Sequence, residues 1–105
     1  MKSQSIGFVY LIALVAPLGS PKHRARFYLG SCRNLKQRMK QHRNGTGSRM
    51  LKAANEKGIA YSVHKFLICE SESQARALEQ RLKRFKRHRS LITKDWRQYL
   101  EQPTT

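Results

Sequence analysis

From Ile6 to Ala16 almost no position is polar: Ile6, Phe8, Tyr10 and Ile12 alternate with Val9, Leu11 and Ala13. An extended segment with two apolar faces is a strand buried on both sides. The Tyr10 hydroxyl is the one polar side-chain group in this run, and a buried hydroxyl needs a partner. Phe27 to Ser31 gives a second, short aromatic strand. Between the two, Pro17, Gly19, Ser20 and Pro21 lead into Lys22, His23, Arg24 and Arg26, an exposed basic loop suited to a wide antiparallel hairpin.

The period then changes from two to about 3.6. Asn34 stands three residues before Gln37, the spacing of a capping box, and Asn44-Gly45 is a stop, so a helix is predicted over Leu35 to Arg43. Leu35, Arg38, Met39 and His42 share its inward face. After the Gly45, Gly47 and Ser48 turn, Arg49 to Lys57 predicts a short helix carrying Met50 and Leu51, ended by Gly58. Ile59 to Cys69 is a third strand, rich in aromatic and branched residues.

Ser71 and Gln74 repeat the capping spacing and open a long helix with Ala75, Leu78, Leu82 and Phe85 as its buried stripe. Leu91, Ile92, Trp96, Tyr99 and Leu100 predict a last amphipathic helix packed back on the body. The order strand, strand, helix, strand, helix, helix predicts one α+β domain spanning 1–105, with its core at about 6–100. Its sheet is small, three-stranded and mainly antiparallel, flanked by helices.

Charge adds a partner to this picture. The 105 residues hold 22 Lys and Arg against 6 Asp and Glu, a formal net charge of +16. Such self-repulsion points to a polyanion, and nucleic acid fits better than a membrane, since no lipidation motif is present. Lys2 and the run after it resemble a secretory signal, but Ala13-Leu14-Val15-Ala16 is a poor cleavage site and Pro17 follows it. The strand reading is therefore taken, with an intracellular, cytoplasmic location beside the nucleic acid. Cys32 and Cys69 form no CxxC pair and are expected as reduced, buried side chains; with the 4 scattered histidines they do not make a zinc site.

Three placements look chemical. Arg38 and His42 sit on an inward face, where a guanidinium must meet a carboxylate, a phosphate or solvent in a cleft; snorkelling of Arg38 from a half-exposed helix is the plain alternative. Glu79 borders the apolar stripe of a helix otherwise rich in cations. It reads either as an i,i+4 ion pair with Lys83 or as a magnesium ligand. Tyr10 and Tyr28 are strand aromatics whose default role is packing.

At these residues the chain resembles the GIY-YIG nuclease superfamily. Phe8-Val9-Tyr10 and Tyr28-Leu29-Gly30 stand for its two strand motifs, and Arg38 and His42 follow Tyr28 at family spacing. The stretch from Tyr28 to His42 is most similar to the catalytic domain of phage intron homing endonucleases. Ala77-Leu78-Glu79-Gln80-Arg81-Leu82-Lys83 looks like the helix that bears the family's metal-binding glutamate. The first motif lacks its glycine and isoleucine, which puts the larger Phe8 beside the site.

The resemblance implies a metal-dependent endonuclease that hydrolyses DNA phosphodiester bonds, with low sequence specificity or recognition of branched, flapped or otherwise structured DNA by shape as alternatives; its settings in the family are repair, recombination, restriction and mobile elements. Tyr10, Tyr28, Arg38, His42 and Glu79 would be catalytic, with Tyr10 activating water and Glu79 holding Mg²⁺ or Mn²⁺. Since tyrosine ionises near about pH 10, Arg38 is expected to depress Tyr10. DNA is preferred to RNA, and a protein partner could supply specificity. Phosphate contacts are expected from Lys22, Arg24, Arg26 and Arg33, from Lys36, Lys40 and Arg43, and from Lys83, Arg84, Lys86, Arg87 and Arg89. The alternative is a catalytically inactive basic module that only binds nucleic acid.

Overall fold

A computed structural model describes residues 6–19, 26–85 and 87–100. Three strands, β1 (Gly7–Leu14), β2 (Phe27–Cys32) and β3 (Tyr61–Cys69), form an antiparallel sheet in the order β2-β1-β3. β1 takes the centre because it alone is apolar on both faces. Val9 and Leu11 join a core with Leu29, Cys69, Leu78 and Leu82, covered by α3 (Glu72–Leu82). Tyr10, Ile12 and Leu14 face the opposite way. There they meet Cys32, Met39, Leu51 and Ala54, beneath α1 (Leu35–Arg43) and α2 (Arg49–Glu56). Each large aliphatic side chain so buried contributes about 1.5–3 kcal/mol before chain entropy is counted.

Local signals set the helix starts. Asn34 Oδ1 accepts from the Gln37 N–H at 3.0 Å, and the hydroxyls of Ser48 and Ser71 accept from Leu51 and Gln74 at 3.1 and 3.0 Å. Both cysteines are free and buried, as expected, and burial pushes their thiols above the usual range. No helix among the described residues is long and apolar enough to cross a membrane.

In β3 the register slips between Leu11 and Ile12, so that Lys65 pairs with Leu11 but Val63 with Ile12. His64 is the extra residue of this irregularity. Beyond it the alternation is reset, and Phe66 falls opposite Tyr10.

Two expectations change at the C-terminal end. α3 stops at Leu82 instead of running through Phe85 and the basic stretch. The N–H groups of Arg84 and Phe85 turn back to the carbonyls of Arg81 and Leu82. Lys83, Arg84 and Arg87 would have crowded like charges at i,i+3 and i,i+4 in a longer helix. The final helical segment is two 3-10 turns, His88–Ile92 and Trp96–Tyr99. Lys65 explains the break, because its ammonium reaches from β3 to the carbonyls of Leu91 and Ile92, both at 3.1 Å, and also to that of Lys94. Those oxygens are then engaged by a cation rather than by a continuing helix. Trp96 lies under the same ammonium, 4.9 Å from ring centroid to Nζ, and donates its indole N–H to Leu91. Arg81 adds a second clamp through the Tyr99 carbonyl at 2.8 Å.

Lys65→Met should therefore loosen the 3-10 turns while leaving the sheet intact. Hydrogen bonds to charged groups contribute about 1.5–3 kcal/mol, so urea unfolding should show a loss of about 2 kcal/mol. Limited proteolysis should cut first between residues 88 and 100.

Candidate active site

The hydroxyl on the apolar strand has its partner. Tyr10 Oη lies 2.9 Å from His42 Nε2, and both side chains have no exposed surface. Two glycines leave room for this pair. A Cβ on Gly30 would stand 2.6 Å from Tyr10 Oη, and one on Gly47 would stand 2.3 Å from His42 Nδ1. With Gly47 against it, Nδ1 has no hydrogen-bond partner among the described residues. Tyr28 completes an aromatic cluster, edge-on to His42 with ring centroids 5.5 Å apart and 6.2 Å from Tyr10. Unlike Tyr10, Tyr28 is only half-buried.

Burial decides the electrostatics of the pair. It lowers His42 to about 4, with the Arg38 guanidinium adding to the effect, so the imidazole is neutral at pH 7. Burial also pushes the Tyr10 phenol well above its ordinary range. Tyr28, Cys32 and Glu79 act in the same direction, and Arg38 alone among the named charges pulls it down. Arg38 acts in the expected direction, but desolvation outweighs one half-buried guanidinium and the phenol stays protonated. In either neutral tautomer of His42, one hydrogen lies between Oη and Nε2.

Glu79 reaches the same neighbourhood from the other face of the sheet. Strand alternation puts Leu29 and Ser31 toward α3, and the Ser31 hydroxyl donates to Glu79 Oε1. Glu79 Oε2 pairs with Lys83 Nζ at 2.9 Å, which is the i,i+4 ion pair considered from the sequence. Glu79 is buried, and its carboxylate is close enough to raise the Tyr10 phenol. The cluster thus straddles the edge strand β2, with tyrosines and His42 on one side and Glu79 on the other.

The model of the GIY-YIG catalytic domain matches residues 6–99, which takes in all of these side chains. The chain belongs to the GIY-YIG family. No curated protein and no solved structure matches it. The fold described above is that of the family, and the domain is a nuclease of the GIY-YIG type with DNA as the implied substrate.

Nucleases of this type are generally dependent on a divalent metal. Among the described residues no group of three or more His, Cys, Asp or Glu side chains could hold an ion. A single oriented carboxylate suits Mg²⁺, which commonly takes one or two protein carboxylates and completes its shell with water and phosphate oxygens. Glu79 fits that requirement: Ser31 fixes one oxygen, and the other already carries a cation, the Lys83 ammonium. The hydrogen bond to Glu79 holds Lys83 above its usual range.

Arg38 is half-buried beside Cys32, Arg33, Gln37 and Glu72, at a small cavity of about 140 Å³. The departure at Phe8 is absorbed elsewhere in this GIY-YIG domain. Its ring turns to Phe66, centroids 6.4 Å apart, in an apolar groove lined also by Leu35 and Met39. Lys36, Lys40 and Arg43 lie on the exposed side of α1, and Arg84, Arg87 and Arg89 on the turns after α3. Arg33 is exposed and 3.9 Å from Glu72; exposed Arg26 donates to the Val15 carbonyl. Lys22, Arg24 and Lys86 lie outside the described residues. Ser31 and Gly47 were not anticipated. The first had a signal, a polar residue on the inward side of β2, whereas nothing local marks Gly47 as the residue that faces His42.

Because the folded state holds His42 neutral down to about 4 while the unfolded chain protonates near 6.5, the unfolded state binds more protons between those values. This contribution is complete well above pH 6.5 and is lost as pH falls through 6.5 toward 4, by about 3 kcal/mol in all. Urea unfolding at pH 7.0 and 4.5 should show the loss. His42→Asn should be less stable at pH 7 and should lose less between the two pH values.

Proposed function

We propose that this domain hydrolyses DNA phosphodiester bonds at the edge of β2, with Glu79 as the ligand of one divalent cation and structured DNA, such as flaps or branches, as substrate. The observation that carries the reading is the convergence of the buried Tyr10–His42 hydrogen bond, the half-buried Tyr28 and the Ser31-oriented Glu79 carboxylate from opposite faces of one strand. When bound, Mg²⁺ or Mn²⁺ would supply positive charge to the scissile phosphate. Ser31 and burial hold Glu79 in the orientation that this requires.

The remaining roles follow from exposure and charge. Tyr28, which reaches the surface, faces the attacking water, and sealed Tyr10 stands behind it. That exchanges the order in which the two tyrosines meet the water in the family-based expectation. The water's proton is relayed through the Tyr10–His42 hydrogen bond, and a proton returns to the leaving oxygen as its bond to phosphorus breaks, so the buried imidazole ends the step neutral. Arg38 stabilises the charge that develops on the phosphate oxygens. The exposed cations of α1 and of the turns after α3 hold the DNA backbone, which fixes position without reading sequence. Specificity would come from DNA shape or from a protein partner, and the site of action is intracellular, in repair or recombination.

One observation favours the alternative of binding without cleavage: Lys83 already neutralises Glu79. Cleavage decides between them. Plasmid and flap, branched and duplex oligonucleotides should be cut with Mg²⁺ and spared when a chelator is added. Glu79→Gln and Tyr10→Phe should each lower the rate by at least about 100-fold, the scale on which acid–base and electrostatic groups act. DNA affinity without metal should not fall in either variant. An inert wild type, or cleavage that survives both changes, would refute the assignment.

A further inference from the structure

The Glu79–Lys83 pair is asymmetric. The Glu79 side chain is 12% exposed and fixed by Ser31, whereas that of Lys83 is 47% exposed and stands at the C-cap of α3. If the pair separates, Lys83 is the partner free to swing away. A divalent cation on Oε2 would repel an ammonium held there at hydrogen-bond distance, so the two compete for the same carboxylate. Once released, the ammonium would join Arg84, Arg87 and Arg89, exposed cations on the following turns, where only an anion could offset it.

We propose that Lys83 is an exchangeable counter-ion: it occupies Glu79 until a divalent cation replaces it, and it then passes to a phosphate of the bound DNA. The inference rests on Glu79 being the metal ligand. It makes metal and DNA mutually reinforcing, since a phosphate that draws Lys83 away vacates the carboxylate, and a metal that displaces Lys83 frees a cation for DNA. Lys83 acts through Glu79 and is a positioning residue. A purely structural ion pair would alter stability but not metal affinity.

Two measurements test this without cleavage. In calorimetric titration with Mg²⁺ and no DNA, Lys83→Met should bind the ion about five- to tenfold more tightly than wild type, and Lys83→Arg should not; Lys83→Gln replaces Met if that variant folds poorly. In chelator, Glu79→Gln should bind a short DNA duplex more tightly and steepen the salt dependence by about one phosphate contact. In a Lys83→Met background the same Glu79 change should do neither. If Glu79→Gln loses Mg²⁺ binding while Lys83→Met binds it as wild type does, the exchange is overturned and the metal assignment stands. Should Glu79→Gln bind Mg²⁺ as wild type does, the metal assignment falls, and this inference falls with it.

Discussion

A hydroxyl buried on the central strand is the constraint on which the site is built. β1 is apolar on both faces, one covered by α3 and the other by α1 with α2, and the Tyr10 hydroxyl is the one polar side-chain group that this strand brings into the interior. Leaving such a group without a partner costs about 1–3 kcal/mol. His42 answers it from α1, so helix and sheet are joined by a directional bond as well as by apolar contact. The same burial keeps both groups neutral, which makes the pair a place where a hydrogen can be held or passed.

The close fit reaches beyond the two rings. Gly30 and Gly47 lie so near Tyr10 and His42 that a methyl group at either would have to displace the pair. Gly30 belongs to the edge strand β2, and Gly47 to the turn between α1 and α2. β1, β2, α1 and the turn after α1 therefore converge on one hydrogen bond, and the half-buried Tyr28 is set against the same imidazole.

The opposite face of β2 meets a different demand. In a chain of +16 net charge, a buried carboxylate is a focus for cations, and Glu79 has gathered a hydroxyl and an ammonium. Lys83 keeps the charge balanced within the protein. In the reaction proposed above, that balance shifts toward the substrate phosphate. Farther away, Lys65 and Arg81 show that some of the cations are structural, capping carbonyls of the C-terminal turns rather than facing solvent. Net charge alone cannot sort these from the exposed cations of α1.

The sequence by itself determined the three strands, the start and end of α1, the two faces of β1 and the inward placement of His42. These depend on local spacing: period two or 3.6, a capping side chain, a stopping Asn-Gly. It also carried the family motifs that name the tyrosines, Arg38 and Glu79. Only tertiary structure decided that Tyr10 bonds His42, that Ser31 orients Glu79 and that Lys65 breaks the last helix into turns. Those partners are 32, 48 and 26 or more residues apart, so no local pattern encodes them. Tertiary structure also decided which tyrosine reaches the surface and that desolvation outweighs Arg38 at Tyr10. Burial is a property of what packs around a residue, and the residue's own neighbours in the chain do not determine it.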